Sequence, residues 1–134
     1  MAARVLPDAE LLAVNYLRSV GAVTSLVGNR VYTDIPAGSA YPLLRLTRIG
    51  GIPTIPQHLD VARIQIDAWG TTKFQARTVA ATAQAVMHDA VGAHTEGVVS
   101  NVEDDLGLTW SPDPDTDQSR YTFAVAVFIH PNPT

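Results

Sequence analysis

A chain of 134 residues, 46% hydrophobic and 16% charged, is long enough for one core, too short for two comfortable ones, and gives no sign of disorder. A formal net charge of -4 argues against a protein that grips nucleic acid through many phosphate contacts, and the lack of cysteine excludes disulfides and thiolate chemistry. The opening MAARVLPDAELL has one Arg, early acids at Asp8 and Glu10 and no long apolar run, so it reads as neither signal peptide nor membrane span.

Pro7 and Asp8 open a first helix, with Asp8 as N-cap and Glu10 near the positive end of the helix dipole. Leu11, Val14 and Leu17, with Leu12, Tyr16 and Val20 on the adjoining line, form a broad apolar face that ends at Gly21. Ala22 to Val27 reads as another short turn of helix closed by Gly28 and Asn29, and Val31 and Tyr32 begin an extended segment. From Thr33 to Tyr41 the chain reads as a loop punctuated by Pro36, Gly38 and Ser39. Pro42 leads a strand, LLRLTRI, with Leu44 and Leu46 on one face and Leu43, Arg45 and Thr47 on the other. The next stretch, GGIPTIPQH, reads as a second loop that exposes Ile52 and Ile55, and a loop of that length with apolar residues often has a contact to make.

Leu59 to Ala90 organises the chain. Ala62, Ile64, Ile66 and Ala68 fall on one face of a strand, while Arg63, Gln65 and Asp67 fall on the other, wet or in contact with a partner. Gly70 breaks the strand, and Thr72 with Gln75 reads as a capping box. In the alanine-rich helix that follows, Phe74, Ala81 and Ala85 make one seam, Val79, Ala83, Val86 and Ala90 lie close to it, and Gly92 is the natural stop. So many alanines imply close approach to a sheet. Gly97 to Trp110 holds a strand or two, with Val98, Val99 and Val102 followed by alternating Leu106, Leu108 and Trp110. The polar loop SPDPDTDQS then leads to RYTFAVAVFIH, a strand uncharged through its middle on both faces and therefore expected at the centre of the sheet.

No constellation of residues supports catalysis. Asp113, Asp115 and Asp117 have the spacing of a calcium loop, but Gln118 stands where glycine is needed and Ala124 where the closing glutamate belongs, so a solvated tip or an acidic contact surface is the better reading. His88 and His94, six apart around Asp89, are not a single-face helical pair and have no further ligands nearby, so no metal is expected. None of the serines at 19, 25, 39, 100, 111 and 119 sits in a nucleophile elbow, Glu103, Asp104 and Asp105 splay apart in a strand, and Gly50 and Gly51 precede no phosphate-loop lysine. Arg45, Arg48 and Arg63 are read as lining one sheet surface, either as its wet face or to meet an acidic partner such as the aspartate loop of a neighbouring copy.

The order of segments resembles the tail terminator, or tail completion, proteins of long-tailed bacteriophages with non-contractile tails. The resemblance rests on SLVGNRVYTDIPAGSAYPLLRLTRI, then RIQIDAWGTTKFQARTVAATAQAVMHDA and the closing RYTFAVAVFI, and covers nearly the whole chain. Its markers are Leu26 to Tyr32, the Pro36 to Gly38 loop, Tyr41 with Pro42, and Gln65 to Asp67 before the helix. It implies a single α+β domain over residues 1–134, a small mostly antiparallel sheet with two main helices packed on one side. It also implies a structural virion protein without catalytic, cofactor or metal site. Such a subunit forms a homohexameric ring at the head-proximal end of the tail, after assembly in the host cytoplasm. There it would end growth of the tube at the length set by the tape-measure protein and offer a joining face to the head connector. Phage DNA would pass through the lumen without specific binding, and an acidic lumen would avoid trapping its phosphates. Candidate contacts are Ile52, Ile55, Arg45, Arg48, Arg63, Asp113, Asp115 and Asp117. A neck or head-closure protein of the same virion and a small regulatory ligand-binding domain are the alternatives.

Overall fold

The structure, a computed structural model, describes residues 5–55 and 58–133, so the readings of the first four residues and of Pro56 lie outside it. Helix α1 (Ala9–Ser19) starts where expected: the Asp8 carboxylate accepts the Leu11 N–H at 3.0 Å. Leu12, Val14 and Leu17 are buried, but Leu11 is 46% exposed, so the apolar face is narrower than its sequence suggests. A short α2 (Gly21–Val27) follows and is closed by Gly28 in a positive-φ conformation.

Six strands form one curled, mixed sheet in the order β1-β2-β3-β6-β5-β4. They are β1 (Val31–Tyr32), β2 (Leu43–Ile55), β3 (Leu59–Trp69), β4 (Gly92–Ala93), β5 (Val98–Trp110) and β6 (Arg120–His130). Only β1 and β2 run parallel; every other pairing is antiparallel. The uncharged β6 lies between β3 and β5, as its sequence predicts. The third helix, α3 (Lys73–His88), begins at the expected cap: Thr72 Oγ1 accepts the Gln75 N–H at 3.1 Å, and Gln75 Oε1 accepts the N–H of Thr71 at 2.7 Å. Helix and sheet meet in a core that joins Leu12, Leu17, Val79, Ala83 and Met87 to Leu44, Leu46, Ile64, Ile66, Phe123 and Val125. The strand residues in that core alternate in sequence, so one set of side chains from each strand supplies it.

Three expectations are corrected. The buried seam of α3 is Ala76, Val79, Ala80, Ala83 and Met87; Phe74 is 80% exposed, and Ala85 is exposed. The seam steps by three and four, whereas Phe74 is followed at those spacings by Arg77 and Thr78, which belong on the wet side. Helix α3 ends at His88 with Asp89 as its cap, and Gly92 lies instead in β4. The strand or two expected after Gly97 is one strand, β5, with three register shifts. The stretch from Gly50 to Ile55 is no loop: it extends β2, paired to β3 as far as Ile55 opposite Leu59. The register shift after Arg48 brings Gly50 and Gly51 to φ of 152° and 96°, and a Cβ on Gly51 would sit 1.9 Å from the Val61 carbonyl oxygen. Glycine lets the strand continue there despite Pro53.

Candidate functional site

The hairpin arm is the most exposed apolar feature of the sheet. Ile49, Ile52 and Ile55 are 41%, 76% and 52% exposed, and no charged residue lies between Ile49 and Ile55. Its root is rigid. Arg48 makes a bidentate ion pair with Asp60, at 2.5 and 2.8 Å, and Asp60 is buried. Glu10 of α1 accepts the Arg48 N–H at 2.6 Å, which ties the arm to the first helix. The hydrogen bonds to Asp60 raise the Arg48 pKa further above its ordinary value, against the opposing effect of burial.

The opposite end of the sheet is aromatic. Trp69 is buried, with the Arg45 guanidinium 4.9 Å and that of Arg120 5.3 Å from its ring centroid. Its indole N–H donates to Asp113 at 3.1 Å. Trp110 packs on Tyr121 with Lys73 above it, and Phe74 and Tyr41 are exposed nearby in the chain. Here the β5–β6 connection carries the three aspartates. Asp113 is committed inward, because its carboxylate also accepts the Asp115 N–H at 2.9 Å; Asp115 and Asp117 are exposed. No group of three or more His, Cys, Asp or Glu fit to hold a metal occurs among the described residues.

The Asp113 carboxyl is held below its ordinary value of 3.8, first by the backbone N–H of Asp115, against partial burial, and next by the Trp69 indole. A depressed folded value means that its stabilising contribution is fully present above 3.8 and is lost as the pH falls through the lower folded value. On acidification, the Trp69 indole N–H resonance is expected to shift with a midpoint below 3.8, and Asp113→Asn should abolish that transition. A midpoint at or above 3.8 would show that the loop does not hold the carboxylate.

The three arginines do not share a surface. Arg45 and Arg63 lie opposite Asp67 and near Asp105, and pair with them at 2.9 and 2.8 Å. Arg48 lies opposite Ile64, on the face that supplies the core, so its expected place beside the other two is corrected. Alternation itself separates them, since Arg48 shares the parity of Leu44 and Leu46 and lies three residues from Arg45; all three arginines pair with aspartates of their own chain. Asp67 is the deepest of these acids, fully buried, and also accepts the Thr122 hydroxyl at 2.7 Å. Sequence alternation placed it on the far face but gave no sign that it would be fully buried.

Among the described residues nothing resembles a catalytic arrangement. The hydroxyls of Ser19, Ser25, Ser39 and Ser100 donate to backbone carbonyls, and Ser111 accepts from Arg120. His88 pairs with Asp104 at 2.9 Å, while His94 meets the Ala90 carbonyl, so the two rings do not converge. An apolar hairpin at one end, aromatic side chains at the other and strand edges between them suit docking rather than turnover.

The sequence matches the family described as tail completion protein gp17 over residues 4–129. The chain belongs to that family. Among solved structures it is similar to a chain of the virion of a native gene transfer agent particle, with 20% identity, a TM-score of 0.67, and 91% of this chain and 94% of that one covered. It is also similar to the gp17 protein of bacteriophage SPP1, with 14% identity, a TM-score of 0.54, and 91% and 88% covered. At these identities the two structures support the fold alone. Comparison with curated protein sequences gave no match. This tail completion protein is thus a structural component of the virion tail, not an enzyme, and acts through contacts with other virion proteins. Membership sets aside the regulatory ligand-binding alternative.

Proposed function

We propose that this protein, as one domain over its whole length, forms a homohexameric ring that caps the head-proximal end of a non-contractile tail tube, stops its growth and joins it to the head connector. The observation that carries the reading is the unlike chemistry of the two ends of the sheet. The aliphatic arm lies where Ile55 pairs with Leu59 and Val98 with His130; the aromatic cluster lies where Leu43 pairs with Trp69 and Trp110 with Tyr121. A cap needs one face that copies the stacking contact of the tube and another that refuses a further tube ring. One end would meet the major tail tube protein, with the tape-measure protein setting the length, and the other the connector or neck protein.

The ring is supported by the sheet's edges. Strand β1 covers only Leu44 and Arg45 of β2, and β4 covers only Val98 and Val99 of β5, so long stretches of both edge strands are paired on one side only. Such edges invite pairing with another chain, and two different edges in contact make a heterologous joint that closes when the rotation closes. All three helices are taken as one layer, since each contributes to the same core with one alternating set of strand residues. That leaves the other face to look toward a lumen. There Asp67 and Asp105 neutralise Arg45 and Arg63, which keeps DNA from being held by free cations.

Deletion of the gene tests this reading. Tails imaged by negative-stain microscopy are expected to be overlong and headless. Tails of normal length that fail to join heads would move the protein to a neck or head-closure position. Normal virions would remove it from the joint.

A further inference from the structure

We propose that the groove between α2, the start of β2 and the first turns of α3 receives a second copy of this chain, at the edge-strand stretch Glu103–Leu106 of its β5. The inference rests on the ring reading and names the interface that closes the ring. The groove, about 230 Å³, is lined by Leu26, Pro42, Phe74, Gln75, Thr78 and Val79. Phe74, 80% exposed, is the most exposed aromatic side chain among the described residues. It is an anchor without a pocket-mate, and aromatic anchors of this kind dominate binding energy once covered.

Charge decides the occupant. Lys73 and Arg77 flank Phe74, both exposed, and α3 contains no acidic residue at all. Arg77 has no hydrogen-bond or ion-pair partner among the described residues. The helix N-terminus adds its own positive dipole, so two cations there are costly until an acid arrives. The occupant must therefore carry negative charge beside an apolar side chain. The arm fails that test, because residues 49–55 carry no charge. Glu103, Asp104, Asp105 and Leu106 meet it. All four are exposed, Leu106 by 45%, on the part of β5 that β4 leaves uncovered. Asp104 and Asp105 already pair with His88 and Arg63, whereas Glu103 is held only by an Asn101 amide and is the acid free to meet Arg77.

The unpaired charges make the contact intermolecular. Pro42 opens β2, near one margin of the sheet, and the acidic stretch lies on β5, near the other. Within one copy α3 meets β5 at His88 with Asp104 and at Lys73 over Trp110. Yet Glu103 bonds Asn101 and Arg77 stays unpaired among the described residues, so the two patches are left for a second copy. Joining the two patches head to tail gives a heterologous contact, which generates a closed ring or an open filament.

Because the chain has no cysteine, a disulfide probe reads cleanly. Virions of the phage encoding this chain would carry Phe74→Cys together with Leu106→Cys, and would be oxidised and run on a non-reducing gel. A disulfide needs the two Cα atoms within about 7 Å. The double variant is expected to give a ladder of covalent multimers with 74–106 links, and each single variant a monomer. Monomer only from the double variant, or a link from residue 74 to a different virion protein, overturns the inference. Monomers in particles that still show a six-fold ring by microscopy would sink this interface and leave the ring standing. A ladder that never closes would keep the interface and sink the ring. Should the cysteine pair yield no particles, charge reversal decides. Arg77→Glu and Glu103→Arg are each expected to cut the titre roughly a hundredfold, as like charges do across an interface, and their combination to restore it. A combined titre no higher than that of either single variant overturns the inference.

Discussion

Asp67→Ala is expected to destabilise the fold by about 3 kcal/mol, the low end for breaking a buried ion pair by removing one partner. Asp67 is fully buried, and its carboxylate is the meeting point of Arg45 at 2.9 Å, the Thr122 hydroxyl at 2.7 Å and the Gln65 amide at 3.2 Å. Removing it strands the Thr122 hydroxyl, itself buried, and leaves the Arg45 charge against Trp69 with its Nε already lacking a partner. The Arg45 side chain is 34% exposed, so water recovers part of its solvation and keeps the cost from rising further. In a domain of this size the melting temperature should drop by roughly 10 °C. Asp67→Asn preserves the volume and an acceptor for Thr122 and should cost about half as much. Urea unfolding of the three proteins measures both differences. A loss below about 1 kcal/mol for the alanine variant would show that the network contributes no more than a surface pair.

The same residue shows how far the sequence reaches. Alternation alone put Asp67 on the face opposite Ile64 and Ile66, and the register places it there. Whether that face was wet depended on Arg45 and Thr122, which reach Asp67 from neighbouring strands and which no local pattern encodes. The caps at Asp8 and Thr72 and the central position of β6 were legible because they depend on neighbours in sequence or on a strand uncharged through its middle. The arm was misread for a definite reason: two glycines and two prolines are loop signals, yet Gly50 and Gly51 here carry a bulge within a continuing hairpin. Phe74 was misread because aromatic character was weighed above position, although the alanines and Met87 already complete a seam without it. Among the candidate contacts, exposure of Ile52 and Ile55 followed from the sequence; the partners of the arginines did not, since each pairs with an aspartate distant in sequence.

The exposed arm carries the largest expected effect on assembly. Ile52→Asp combined with Ile55→Asp should leave the isolated fold within about 0.5 kcal/mol of the parent, because both side chains project beyond the core. If the arm docks on a virion partner, each carboxylate enters an apolar contact without a counter-ion, at several kcal/mol per group unless the contact opens. With each 1.4 kcal/mol worth a factor of ten, joined particles should fall by at least about a hundredfold, and repetition around a ring would deepen the loss. Ile52→Ala, which only trims area, should lower the yield by no more than about tenfold. The contrast separates a docking role from a structural one: Arg48 and Asp60 anchor the root of the arm, and neither substitution touches that pair. Infectious titre, read beside a thermal melt of the purified variants, makes the measurement. Unchanged titre with the charged arm would show that Ile52 and Ile55 face solvent in the finished tail. The joint would then have to use the aromatic end, where Trp110 and Tyr41 are exposed.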